Sequence, residues 1–307
     1  MRIVPIAAFI LFFISGASTA STNSLALHEV TDGVYAFVGE LGQRSETNLG
    51  NNATFGAVIT KDGVVLIDAG GTRNGARQIH DLVKKITDKP VLMVINTGGQ
   101  DQRWMGNDYF KQLGARIVAS GAAVEDQKAR FNNQITALEN LVGKKGIAGT
   151  KDVYADQTFQ SSLDLNIGGV QMQLRHSGPA HTPGDIYVWL PEKKVVFTGD
   201  IVYAERILVV GSMSNSRSWV NVFKEIEMLN PLHVVPGHGK PTTMQKARAD
   251  THDYLVMLRS KLKKFAEEGG SMANVASVDQ SEFRYLQNYD LAKGQNAERV
   301  FLELEWE

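Results

Sequence analysis

The chain has 307 residues, 43% of them hydrophobic and 21% charged, enough to bury a large core in an ordinary globular fold. Its 32 basic and 33 acidic residues nearly cancel to a net charge of -1, with no charged block, which excludes a dedicated nucleic-acid or anionic-membrane surface. Cysteine is absent, so disulfides, thiolate metal ligands and redox thiols are excluded too.

In chain order, residues 1–20 show the three-part pattern of a secretory signal peptide: Arg2, an apolar run over 3–14, then small residues over 15–20. Ser18 and Ala20 place the cut before Ser21 and the mature protein in the periplasm or secreted. The apolar run is shorter than the ~20 residues that span a bilayer, so no membrane association is expected after cleavage. Residues 30–38 read as a strand pair about Asp32-Gly33, and 55–60 with 63–68 as a hairpin about Lys61-Asp62-Gly63. A helix over 73–86 sets Ile79, Leu82, Val83 and Ile86 on one face. A strand over 91–95, a polar loop, a helix ending before Gly114 and a strand over 116–119 complete an α/β alternation.

A long helix over 122–141 and a flexible connection over 143–149 lead into the second half. Strands are predicted over 170–175, 186–190, 195–198 and 232–235, and helices over 220–229, 243–265 and 277–306. No stretch rich in Pro, Ser or Gly divides the chain, so 21–307 reads as one domain.

Three polar loops follow predicted strands: 96–107, 176–185 together with 198–200, and 236–239. Ligands in layered α/β proteins gather beyond strand ends, so these loops are the candidate site. They carry Gly178-Pro179-Ala180-His181-Thr182-Pro183-Gly184-Asp185, Phe197-Thr198-Gly199-Asp200 and Pro236-Gly237-His238-Gly239, preceded by Val65-Leu66-Ile67-Asp68-Ala69-Gly70. Singly, each histidine suits an ordinary hydrogen-bonded position and each aspartate a turn or cap. Together and in this order they resemble four motifs of the metallo-β-lactamase superfamily. The resemblance implies an αβ/βα four-layer sandwich and a zinc-dependent hydrolase. It makes His181, Asp200 and His238 metal ligands, Asp200 also a catalytic residue, and Asp68 a support beneath the site. His28, His80, His176, His233 and His252 match no ligand position.

One motif of the resemblance is broken. Where the superfamily has His-x-His-x-Asp-His after Asn-Thr, this chain has Asn96-Thr97 followed by Gly98-Gly99-Gln100-Asp101-Gln102-Arg103. Direct registration replaces all four ligands, with Gly98, Gln100, Gln102 and Arg103 in their places. A one-residue shift makes Asp101 the aspartate, and Gln100 and Asp101 are the possible additional ligands. Arg103 cannot shed its proton and stands in part for a missing cation, placed to stabilise negative charge. At most one ion is therefore expected, zinc or alternatively iron(II), or none. Trp104 and Arg206 are the expected pocket residues, with Tyr203, Glu205 and Trp219 near in sequence and Gln43, Arg44 and Asn48 in a candidate flap.

The expectation is an exported hydrolase-like protein acting on a small molecule or anion. A metal-free pseudoenzyme that binds a small anion through Arg103, or binds a partner protein, is the first alternative. A mononuclear iron oxygenase of a sulfur compound is the second.

Overall fold

The structure, a computed structural model, describes residues 25–307; the predicted signal peptide lies outside the described residues. Seven strands form the first sheet in chain order: β1 (Ala26–Thr31), β2 (Val34–Val38), β3 (Thr54–Ile59), β4 (Val64–Ile67), β5 (Val91–Ile95), β6 (Arg116–Ser120) and β7 (Gln157–Phe159). The two hairpins about Asp32-Gly33 and Lys61-Asp62-Gly63 form as their turn residues predict, and the pairing from β4 onward is parallel. The second sheet holds β8 (Ser162–Ile167), β9 (Val170–Arg175), β10 (Tyr187–Leu190), β11 (Val195–Phe197) and β12 (His233–Val235), with order β12-β11-β10-β9-β8.

Strand alternation decides the layers. Val65 and Ile67 of β4 join Met172, Leu174, Val188 and Phe197 in a core between the sheets. Val64 and Leu66 face the other way, onto Ile79, Leu82 and Val83 of α1 (Arg73–Ile86). Such strands are buried on both faces, which is why they read as unbroken apolar runs. The sheets approach so closely at Gly56 that any side chain there would run into the Phe197 ring. Beyond α2 (Asp101–Trp104), α3 (Asn107–Gln112) and α4 (Gly121–Gly146), the remaining helices cover the second sheet. These are α5 (Ser216–Met228), α6 (Met244–Ala247), α7 (Asp253–Glu267) and α8 (Tyr289–Leu304), packed through Trp219, Phe223, Leu255, Leu258 and Phe301. The result is helix, sheet, sheet, helix.

Four expectations need correcting. The helix over 122–141 continues to Gly146, so the connection expected from 143 is helical after a break at Gly143, where φ is 71°. Glu46 sits where a Gly143 side chain would be, so glycine allows both the turn and the approach. β7 and β8 were not predicted, although Leu163, Leu165 and Ile167 alternate with Ser162, Asp164 and Asn166 as a half-buried edge strand requires. The helix over 243–265 contains a π turn at Arg248–His252. The tail becomes helical only at Tyr289, because Asn288 adopts a left-handed φ of 63° and donates to the Leu41 carbonyl at 2.6 Å.

Candidate functional site

The three polar loops converge beyond the strand ends. Asp68 follows β4 in the left-handed region, φ 70°, a conformation that costs energy for a residue with a side chain. Its carboxylate accepts from the Thr97 backbone N–H at 2.7 Å and the Thr97 hydroxyl at 2.8 Å. Burial pushes its pKa up to about 6, against the pull of Arg103.

Arg103 enters from α2 and is wholly buried. Its Nε donates to Asp200 Oδ2 at 3.0 Å and its Nη2 to Asp200 Oδ1 at 2.6 Å, a two-pronged pair. Nη1 donates to Asp68 Oδ2 at 2.8 Å and to the Thr54 carbonyl at 3.1 Å, and Nη2 also reaches the Gly237 carbonyl at 2.9 Å. All five N–H groups of a guanidinium are thereby used. Burial opposes its charge, but Asp200 and Asp68 outweigh burial and hold Arg103 above the ordinary arginine value. Burial likewise opposes ionisation of Asp200, yet Arg103 and His238 hold it well below the usual carboxylate range.

His181 and His238 are each anchored through Nδ1, to the Val209 carbonyl at 3.0 Å and the Asn52 carbonyl at 2.9 Å. A carbonyl only accepts, so Nδ1 of each neutral ring carries the hydrogen, and Nε2 of His238 lies 3.3 Å from Asp200 Oδ1. Burial keeps both rings neutral, with Arg206 adding to it at His238, whose pKa falls to about 3. Tyr203 stacks on His238 with ring centroids 4.7 Å apart, and Trp219 lies edge-on to His181.

Above these groups is a cavity of about 290 Å³. His181, His238, Gln100, Gln102 and Tyr203 line it from below, and Gly42, Gln43 and Arg44 from the flap side. Arg206 completes one wall, and Asn288, which precedes α8, forms the lip with Leu291, Ala292 and Gln295 of that helix. Arg44 pairs with Asp101 and also donates to Gln102. Among the described residues, the Arg206 side chain reaches the Gly42 carbonyl, at 3.5 Å, and the Tyr203 ring face, at 6.0 Å. Arg44 Nε and Arg206 Nε are shut off from solvent without a hydrogen-bond partner.

The structure thus brings together Asp68, Arg103, Asp200, His181, His238, Gln100 and Arg206. It moves three expected residues to other work. Arg103 lies beneath the cavity with no N–H left, so it is neither an anion contact nor a free stabiliser of developing charge. Asp101 turns outward from the lining to Arg44. Trp104, one step further along α2, faces α4, stacking on Tyr154 at 5.4 Å and donating to Gln134 at 3.3 Å. Successive helix residues point about 100° apart, so Trp104 turns away from the acids that Arg103 meets. The lip residues of α8 went unnoticed, because nothing in their local sequence marks an approach to loops so distant in the chain. Also unmarked were Asp250 and Thr251 in the π turn, which clamp the Tyr203–Glu205 backbone at 2.7 to 2.9 Å.

Two metals do not fit these residues. Gly98 has no side chain, and any Cβ there would run into Asp185. Both Asp200 oxygens are held by a guanidinium, itself a cation, where a bridging ligand would be needed. Among the described residues, no three His, Asp or Glu side chains group so as to hold a metal ion.

A four-layer α/β sandwich with its site in loops beyond the strand ends defines the class of protein. The chain belongs to the Metallo-beta-lactamase superfamily, whose sequence model matches residues 49–238. It is 24% identical over 221 residues to the metallo-beta-lactamase type 2 of Elizabethkingia meningoseptica, covering 71% of this chain and 80% of that protein. It is 21% identical to a linear primary-alkylsulfatase from Pseudomonas sp., covering 66% of this chain and 43% of that one. Among solved structures, a metallo-beta-lactamase from Pontibacter korlensis superposes with a TM-score of 0.61 at 20% identity, over 76% of this chain and 99% of that one. A stereoselective inverting sec-alkylsulfatase from Pseudomonas sp. superposes with a TM-score of 0.70 at 17% identity, over 90% of this chain and 50% of the other. These likenesses extend to the fold; they carry no substrate to this chain.

Proposed function

We propose that this is an exported member of a hydrolase superfamily whose site works on a resident guanidinium in place of the metal centre and binds a small molecule in the cavity above it. One observation carries the reading: Arg103 spends all five N–H groups on Asp68, Asp200, Thr54 and Gly237, and engages both oxygens of Asp200, the carboxylate that would hold an ion. Lactamase and sulfatase relatives support a hydrolytic ancestry. Zinc titration by calorimetry, at a pH where histidine is neutral, tests the reading. No saturable binding is expected, and one or more tightly bound equivalents would overturn it.

A second reading has its own support. Both imidazoles hold Nδ1 on a backbone carbonyl, the arrangement that aims a histidine at a metal through Nε2. A single ion held there would polarise a substrate oxygen or bound water. In that case His181→Ala and His238→Ala each abolish the calorimetric signal. Export is tested separately: the intact mass of protein from the periplasmic or secreted fraction should begin at Ser21.

A further inference from the structure

Two guanidiniums and, among the described residues, no carboxylate line the cavity. Arg44 has an acid behind the lining, Asp101, whereas among the described residues no carboxylate lies within ion-pair distance of Arg206. Burial pulls Arg206 below the ordinary arginine value, with Arg44 adding repulsion, against the opposing pull of Tyr203 and the Asp200 carboxylate. A guanidinium cannot escape this by losing its proton. Arg206 is only partly exposed, and a cation so placed gains from an anion beside it.

The remaining lining limits what that anion can be. His181 and His238 line the cavity as neutral rings, each with Nδ1 on a backbone carbonyl, so neither adds a cation for a second negative charge. The lip has an apolar part, Leu291, 82% exposed, beside Ala292, set between the amides of Asn288 and Gln295, and Val209 also lines the cavity. A volume of about 290 Å³ is at the small end for ligand sites. We infer that the cavity binds a small organic monoanion, a carboxylate or sulfonate-like oxyanion held by Arg206 and Arg44 with a short apolar body along Leu291 and Ala292. The inference rests on the metal-free reading above, since a metal at the two imidazoles would draw the oxyanion to itself.

The test is calorimetric titration of chelator-dialysed protein with hexanoate, hexanesulfonate, acetate and hexanol, repeated after zinc addition. Hexanoate and hexanesulfonate should bind without zinc, with acetate weaker and hexanol silent. Arg206→Gln should weaken hexanoate about tenfold or more, the loss of one charge-assisted contact. Arg206→Lys should recover part of that loss. Leu291→Asn, a change at an exposed position, should remove the preference for hexanoate over acetate. Hexanol binding as well as hexanoate, or full affinity in Arg206→Gln, overturns the inference. Absence of binding with or without zinc overturns the ligand class alone. Binding that needs zinc and survives Arg206→Gln overturns the metal-free reading and the inference with it.

Discussion

Arg103 and Arg206 are guanidiniums of one site with opposite surroundings. Arg103, in the floor, meets two carboxylates and two carbonyls; Arg206, in the wall, meets one distant carbonyl and an aromatic face. The floor is finished as folded and cannot reach a ligand. The wall is unfinished as folded and can. A third buried charge widens the contrast. Asp185 accepts from the Thr182 N–H and hydroxyl but has no cation among the described residues, and burial with repulsion from Asp200 raises its pKa to about 8. An acid without a partner solves the problem by keeping a proton, an option closed to arginine.

The largest effect should come from breaking the floor. Arg103→Met leaves Asp68 and Asp200 buried without their cation and should cost about 3–5 kcal/mol in urea unfolding. A loss below about 1 kcal/mol would mean the floor is not an ion-pair receptor. Asp185→Asn sharpens the middle case. Its folded pKa of about 8 lies above the ordinary value of 3.8, so its contribution to stability is full below pH 3.8 and is lost as pH rises through 8. Asparagine mimics the protonated acid across that window, so wild type should lose melting temperature relative to Asp185→Asn between pH 4 and 8. A constant difference between the two melting curves would rule out the raised pKa.

Arg206→Gln should leave stability within about 1 kcal/mol of wild type or raise it, because it removes an unpaired charge. A loss like that of Arg103→Met would erase the distinction between floor and wall. The smallest effect belongs to the lip: Leu291→Ser, at an exposed position, should stay within about 0.5 kcal/mol in the same unfolding assay.

Much of this site was legible in the sequence, and the residues show where legibility stops. Asp68, His181, Asp200 and His238 sit in short runs at strand ends, and the resemblance of those runs to the superfamily's motifs pointed to them. The loss of the second motif was equally plain, since Gly98 has nothing to offer a metal. The job of Arg103 was half readable: its permanent charge follows from its chemistry, but its five partners come from positions 54, 68, 200 and 237, which only folding assembles. Trp104 failed for a simpler reason, the rotation between adjacent residues of one helical turn. Leu291, Ala292 and Gln295 belong to an ordinary helix whose local sequence has no reason to differ where it overhangs a cavity. The fold followed the same rule: the hairpin turns and α1 announced themselves through turn chemistry and periodicity, while β7 and the π turn depend on distant partners.

The central claim is that a guanidinium holds the place of the metal centre. Elemental analysis of protein purified without chelators, from cells grown with added zinc and iron, tests it most directly. The account predicts substoichiometric transition metal and a melting temperature unchanged by chelator. One or more equivalents per chain, whose removal lowers the melting temperature, would contradict it.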